Sequence, residues 1–105
     1  MEGKRMQDIM EYTTNNYTRS ISLDDIAEVA AMTKQAFCKY FKKRTRKTYI
    51  QFLNELRIEN ACKLLRSNTD RSITEIAERS GFNNISNFNR QFKSIKQVTP
   101  SQYMA

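Results

Sequence analysis

Histidine is absent from the 105-residue chain, and glycine, proline and cysteine are scarce, with two, one and two residues. The lack of histidine and of any CxxC pair excludes the usual zinc-ligand spacings. Cys38 and Cys62 lie in helix-like contexts, so we expect no structural disulfide. So little glycine and proline leaves few residues for hairpin turns and little to interrupt helices. The composition therefore predicts an all-α fold.

Sequence features of an enzyme are also missing. The chain has no phosphate-binding loop, nucleophile motif or metal-binding cluster, so we expect neither enzymatic activity nor a cofactor. It also has no secretory signal, no apolar run of membrane-spanning length and no lipidation motif. We therefore expect no membrane association and a location in the reducing cytoplasm.

Positive charge is in excess and unevenly distributed. The net charge is +7 and the pI is about 9.7, which suits a polyanionic partner. Charge alone does not distinguish DNA from RNA or an anionic membrane surface, and it equally fits a protein that is merely soluble. Acidic residues are absent between Glu28 and Glu55 and after Glu78, whereas lysine and arginine are frequent in both stretches. This segregation predicts two basic surfaces.

A repeat of about fifty residues organises the chain. The segment SLDDIAEVAAM, from Ser22, aligns with SITEIAERSGF, from Ser72, and after a one-residue insertion Phe37 and Phe41 match Phe88 and Phe92. The alignment continues to KTYIQFL and VTPSQYM, which share threonine, glutamine and an aromatic residue. The sequence therefore predicts two related units, a first over residues 1–46 and a second over 68–105, joined by a helix over 47–67.

Each copy has the pattern of a helix-turn-helix. Ser22 with Asp25, and Ser72 with Glu75, have capping-box spacing. Turns follow at AAMT and SGFNN, where Thr33 and Asn84 are suitable N-caps for the second helix of each copy. A stripe from Met6 to Tyr17 predicts an N-terminal helix, and a short last helix begins at Thr99 and Pro100. The long helix between the copies spans roughly 30 Å, which is nearly one turn of DNA.

The second helix of each copy has one apolar face and one polar face. Phe37, Tyr40 and Phe41 in copy one, and Phe88, Phe92 and Ile95 in copy two, are expected in the core. The opposite faces carry side chains of the types that read base edges in the major groove, although one such face alone is more often a solvated surface. The candidates for base contacts are Gln35, Cys38, Lys39, Ser86, Asn89 and Arg90. The candidates for phosphate contacts are Thr33, Lys34, Lys42, Lys43, Arg46, Lys47, Asn84 and Lys93.

The residues ISLDDIAEVAAMTKQAFCKYFKKRT, YIQFLNELRIENACKLL and SITEIAERSGFNNISNFNRQFKSIKQVTPSQY resemble the AraC/XylS transcription regulators over essentially the whole chain. The last segment carries GF, Ser-x-Phe, Arg-x-Phe-Lys and TPSxY in the family's order and spacing. The resemblance implies a seven-helix module with two helix-turn-helix motifs and recognition helices that begin near Thr33 and Asn84. It also implies transcription activation through RNA polymerase, and an effector, receiver or dimerisation domain upstream in a longer chain.

The chain departs from the family's pattern at three positions where glycine is usual. Ala31 replaces the turn glycine, and Arg46 and Gln97 replace helix-ending glycines. A left-handed residue other than glycine costs about 1 kcal/mol, so we expect these ends to be reshaped or weakened. Asn87 also stands where an aromatic residue is common.

The combined prediction is sequence-specific binding of double-stranded DNA, with two recognition helices in adjacent major-groove segments. Since the second reader lies on the same chain, we expect the isolated module to be a monomer. The alternative is a nonspecific, basic nucleic-acid-binding protein, which the charge permits but which gives no reason for duplicated reading faces.

Overall fold

The computed structural model describes residues 2–67 and 70–104, and these residues form seven α-helices and no strand. The all-α, seven-helix prediction is confirmed. The predicted boundary at residue 68 and both chain ends lie outside the described residues. Within the described ranges, none of the helices combines the length and apolar character that a membrane span requires. The helices are α1 Glu2–Asn16, α2 Leu23–Val29, α3 Lys34–Thr45, α4 Tyr49–Arg66, α5 Ile73–Arg79, α6 Ile85–Lys96 and α7 Pro100–Met104.

The chain divides into two compact units, with the boundary inside α4 between Leu53 and Asn54. Unit 1 has a core of aliphatic and aromatic side chains around Phe37 and Phe41, and unit 2 has its own core around Phe88 and Phe92. These four phenylalanines are fully buried. Tyr40 and Ile95, which were expected in the same stripes, are only half-buried.

Equivalent aromatic pairs of the two units have the same separations between ring centroids. The ring centroids of Phe37 and Phe41 are 5.7 Å apart, as are those of Phe88 and Phe92. Phe41 meets Phe52 edge-on at 5.6 Å, and Phe92 meets Tyr103 edge-on at 5.6 Å. The repeat in the sequence is therefore a repeat of packing, in which an edge-to-face pair joins each second helix to the element that follows it.

The serine caps that begin α2 and α5 differ in one respect. The Ser22 hydroxyl accepts from the Asp25 amide at 3.0 Å, and the Asp25 carboxylate accepts from the Ser22 amide at 3.0 Å, which completes a capping box. Ser72 makes the equivalent bond to the Glu75 amide at 3.1 Å. The Glu75 carboxylate instead lies 3.4 Å from Arg79 Nε, so the second predicted box forms only by half.

The turn between the two helices of each motif is closed by the same pair of backbone bonds. The Ala31 and Met32 amides donate to Glu28 and Ala27, at 3.0 and 2.9 Å. In unit 2 the amides of Gly81 and Phe82 donate to Glu78 and Ala77, at 3.1 and 3.0 Å. This is the Schellman arrangement, and it requires a left-handed residue at the first position. Ala31 adopts it with φ of 56° and Gly81 with φ of 103°.

The ends of α3 and α6 also keep the left-handed conformation without glycine. Arg46 has φ of 66° and Gln97 has φ of 67°. Their backbone amides donate to the carbonyls of Lys42 and Lys93, at 2.8 and 2.9 Å. The helix ends are therefore not reshaped at Ala31, Arg46 and Gln97, because each residue adopts the left-handed backbone conformation that glycine would adopt. That these ends are weakened stays a prediction.

Two further capping boxes begin α4 and α7. The Thr48 amide donates to Gln51 Oε1 at 2.9 Å, and the Gln51 amide donates to the Thr48 hydroxyl at 3.1 Å. Thr99 and Gln102 make the same two bonds at 2.9 and 3.1 Å. The threonine and glutamine that the two copies of the repeat share therefore cap the start of a helix in both units. The signal in the sequence was the Thr-x-x-Gln spacing.

Candidate nucleic-acid interface

Helix α3 begins at the predicted cap and presents the predicted face. The Thr33 hydroxyl accepts from the Ala36 amide at 3.2 Å, which satisfies one of the free amides of the first turn. Because Phe37 and Phe41 anchor one side of the helix in the core, the positions three and four residues apart on the other side are left in solvent. The base-contact candidates Gln35, Cys38 and Lys39 are all exposed there.

Helix α6 has the same arrangement in unit 2. The Asn84 side-chain oxygen accepts from the Asn87 amide at 2.8 Å and starts the helix. Phe88 and Phe92 hold the buried side. The base-contact candidates of this helix, Ser86, Asn89 and Arg90, are exposed on the other side.

The phosphate-contact candidates are exposed in both units. Lys42, Lys43 and Arg46 line one open recess at the end of α3, where three cations can surround a single anionic group. Thr33 and Asn84 use their side-chain oxygens as caps, so the Thr33 hydroxyl proton and the Asn84 amide hydrogens are the groups left to donate to phosphate. The remaining exposed candidates are Lys34, Lys47 and Lys93.

Helices α3 and α6 carry no acidic side chain at any position from Lys34 to Thr45 or from Ile85 to Lys96. Acidic residues lie on the first helix of each motif, where Asp25 is used as a cap. Lysine and arginine occupy the last turn of α3 and lysine that of α6, where these cations also interact favourably with the helix dipole. The exposed face of each helix is therefore a surface of cations, amides and small polar groups.

An aromatic ring with two guanidinium groups extends the positive surface of unit 1. Arg44 lies 4.8 Å from the centre of the Tyr40 ring, and Arg5 of helix α1 lies 6.0 Å from it. Contacts of this kind hold a cation against a ring face. Arg5 could not be predicted from the sequence, because its approach to Tyr40 depends on how helices α1 and α3 pack.

Two further residues of α6, which were not among the predicted contact residues, reach the surface of the helix. Ile85, the first residue of the helix, keeps 38% of its surface exposed although it is aliphatic. Asn87 is half-buried, and its Oδ1 accepts from Arg90 Nη2 at 2.8 Å. The position directly after the cap could have singled out Ile85. The spacing of three residues places Asn87 within reach of Arg90, but the contact itself depends on the rotamers of the two side chains.

The two cysteines have different surroundings. Cys38 is exposed on the polar face of α3, whereas Cys62 is fully buried in the core of unit 2. Burial raises the pKa of the Cys62 thiol, against the opposing effect of the Tyr103 hydroxyl. Among residues 2–67 and 70–104, no cluster of side chains could hold a metal ion.

Comparison with known sequences identifies the class of protein. A family model described as a helix-turn-helix domain matches residues 26–105. The chain is 37% identical over 98 residues to the Transposon Tn10 TetD protein of Escherichia coli, covering 93% of this chain and 70% of that protein. It is 28% identical over 103 residues to the HTH-type transcriptional regulator YdeC of Bacillus subtilis, covering 98% of this chain but only 35% of that protein.

Solved structures share the fold along the whole chain. The C-terminal domain of the two-component response regulator yesN from Fusobacterium nucleatum has a TM-score of 0.88 and 28% identity, with 100% of both chains covered. The DNA-binding domain of AdpA, solved in complex with a target DNA, has a TM-score of 0.86 and 22% identity, with 93% of this chain and 87% of that chain covered. The chain belongs to the AraC-type family of helix-turn-helix transcription regulators. The family and fold are those of regulator DNA-binding domains and not of enzymes.

Proposed function

We propose that the chain binds double-stranded DNA sequence-specifically and regulates transcription by placing α3 and α6 in the major groove. Base edges there offer donors and acceptors that Gln35, Lys39 and Arg90 suit in particular, since glutamine pairs with adenine and cationic side chains pair with guanine. Ser86, Asn89 and Cys38 complete the two reading faces. The cations around these faces would hold the phosphate backbone and supply affinity for any sequence.

The observation that carries this proposal is the equivalence of the two faces. Each recognition helix starts at a side-chain cap, buries two phenylalanines and exposes an acid-free polar face. A protein that only coats nucleic acids needs the charge but has no need of two matched faces with different side chains. The DNA-binding domain of AdpA, which shares this fold, was solved in complex with a target DNA, and this supports DNA as the partner.

The proposed action in the cell is activation, through a contact with RNA polymerase, in the cytoplasm. The chain spans 35% of YdeC and 70% of TetD, so relatives of this kind carry additional sequence. We place an effector, receiver or dimerisation domain in the upstream part of a longer protein, and yesN supports the receiver option because its similar domain is the C-terminal part of a two-component response regulator. The isolated module would be monomeric, because its apolar stripes are used in its own two cores.

Selection from a random duplex library tests the proposal. The purified chain is incubated with the library at physiological salt, and bound duplexes are recovered, amplified and sequenced over several rounds. We expect an asymmetric site with two different halves, because the two reading faces differ in sequence. Sedimentation of the free chain at micromolar concentration should show a monomer, and a stable dimer at moderate salt would contradict that part of the proposal.

Competition with bulk RNA provides the control. Binding to the selected duplex should survive an excess of RNA that removes the chain from a scrambled duplex of equal length and composition. If RNA abolished binding to every duplex equally, or if selection enriched no sequence, the specific function would be rejected in favour of nonspecific nucleic-acid binding.

A further inference from the structure

We propose that Asn87 is a positioning residue for the reading of one base pair by Arg90, and that unit 1 has no such device. This inference rests on the proposed function and names a residue that determines its specificity. As a consequence, unit 2 discriminates more strongly between base pairs in its half of the site than unit 1 does in the other half.

Two hydrogen bonds connect Asn84, Asn87 and Arg90 along α6. The Asn84 side chain holds the Asn87 backbone amide at 2.8 Å, and the Asn87 side chain in turn holds Arg90 Nη2 at 2.8 Å. Asn87 is half-buried beside the core, whereas Arg90 is exposed. A long, flexible guanidinium is therefore tied to the rigid first turn of its own helix.

The contact leaves Arg90 able to bind a base. Arginine has five N–H donors in a planar fork, and Nη2 keeps a second hydrogen after donating to Asn87. Both terminal nitrogens can still donate to O6 and N7 of a guanine. Because the side chain is already restrained, less rotamer freedom is lost when it binds, and fewer alternative orientations can reach a wrong base.

The repeat supplies an internal comparison. The alignment that pairs Phe37 with Phe88 also pairs Ala36 with Asn87 and Lys39 with Arg90. Ala36 has no side-chain acceptor, and the lysine ammonium is a point charge on a flexible stem, without the planar fork. The equivalent reader of unit 1 is therefore neither bidentate nor oriented by the residue three positions before it.

The test measures binding of the chain to fluorescein-labelled duplexes. One duplex carries the site recovered by selection, and the others each carry one of the three alternative base pairs at one position of that site. Arg90→Ala first identifies the base pair that Arg90 reads. We expect Asn87→Ala to reduce discrimination at that same base pair by about two- to tenfold and to leave discrimination elsewhere unchanged. Alanine is a better helix former than asparagine, so this variant should keep the fold, which circular dichroism checks.

Two further variants separate positioning from a structural role. Asn87→Asp keeps an acceptor for Arg90, so we expect discrimination at the Arg90 base pair to be retained while affinity falls for all duplexes through phosphate repulsion. When Arg90 is already alanine, adding Asn87→Ala should cause no further loss at that base pair. The paired change Ala36→Asn with Lys39→Arg should transfer the arrangement to α3 and raise discrimination within the half-site of unit 1.

The inference is overturned if Asn87→Ala leaves discrimination unchanged or weakens all duplexes alike. It is also overturned if Asn87→Asp fails to retain discrimination, or if the two substitutions act independently in the double variant. These outcomes all presuppose a selected site. Failure of the selection itself would instead reject the proposed function, so the two failures are distinguishable.

Discussion

The hydroxyl groups of Thr13 and Tyr49 lie 2.6 Å apart in the core of unit 1, where they connect helix α1 to helix α4. The Thr13 hydroxyl has a single proton, which it donates to the Ile9 carbonyl at 2.7 Å. Tyr49 is therefore the donor in the contact between the two side chains. A buried bond of this kind fixes which residues of α1 face the core, since a rotation of the helix would break it.

Replacing Tyr49 with phenylalanine tests that bond. We expect Tyr49→Phe to lower the free energy of unfolding by about 0.5–1.5 kcal/mol, because a buried acceptor loses its donor while ring packing is kept. Urea denaturation of Tyr49→Phe, Thr13→Val and the double variant measures the coupling. Additive losses would show that the two hydroxyls contribute independently.

The left-handed residues yield a second prediction about stability. Gln97→Gly should raise the free energy of unfolding by up to about 1 kcal/mol, because glycine adopts φ of 67° without a Cβ clash. Gly81→Ala should lower it by about 1 kcal/mol or more, since φ of 103° is unfavourable for alanine. Thermal melts of both variants beside the wild type decide the matter. Equal melting temperatures would mean that these backbone conformations carry no net strain.

A third prediction separates reading from backbone contact. Arg90→Ala should weaken the binding free energy for the preferred duplex by about 1–3 kcal/mol. It should have little effect on a duplex that carries a wrong base pair at the position that Arg90 reads. Lys43→Ala, a change in the recess at the end of α3, should weaken all duplexes alike and reduce the salt dependence of binding. Binding isotherms at several salt concentrations measure both effects. If Arg90→Ala weakened every duplex equally, its assignment to a base would be withdrawn.

The exposed cysteine allows a fourth test without any substitution. Cys38 should react rapidly with a small alkylating reagent near neutral pH, whereas the buried Cys62 thiol, with its raised pKa, should react only after unfolding. The selected duplex should slow the alkylation of Cys38 and leave Cys62 unaffected. Mass spectrometry of the timed reaction counts the modified thiols. A scrambled duplex serves as the control, and equal protection by both would contradict specific docking of α3.

The fifth prediction concerns the exposed Ile85 at the start of α6. An aliphatic side chain on a reading helix suits the methyl group of thymine. If Ile85 contacts such a methyl group, replacing that thymine with uracil should weaken wild-type binding by about fourfold, corresponding to about 0.8 kcal/mol for one buried carbon. Ile85→Ala should be insensitive to the same replacement. Sensitivity of both proteins to uracil would place the methyl contact on another residue.

Much of the fold could be predicted from the sequence because its signals are local. The caps at Ser22, Thr33 and Asn84 and the spacing of the phenylalanines set helix starts and buried faces through contacts within four residues. The left-handed conformation of Arg46 could not be predicted from the arginine itself, because the residue's own preference opposes it, and only the glycine usual at this position in the family pointed to it. The Glu75 carboxylate does not complete the predicted capping box with the Ser72 amide, because nearby arginines compete for it.

The candidate interface was predictable to a similar extent. Exposure of the candidate side chains follows from helical periodicity once the core face is known. The contact between Asn87 and Arg90 depends on side-chain rotamers, and the approach of Arg5 to Tyr40 depends on how α1 packs against α3. Neither is contained in a one-dimensional pattern, and whether any of these residues touches DNA stays a prediction.

The absence of negative charge from α3 and α6 has a consequence for how a target would be found. A helix without carboxylates has no group that repels phosphate, so the surfaces that would read a site would also hold unrelated duplex weakly, with counterions released at each contact. Such weak holding permits sliding and hopping, which reduce the search to short lengths of DNA between dissociations. The speed of that search, and not only the strength of the final complex, would then depend on salt.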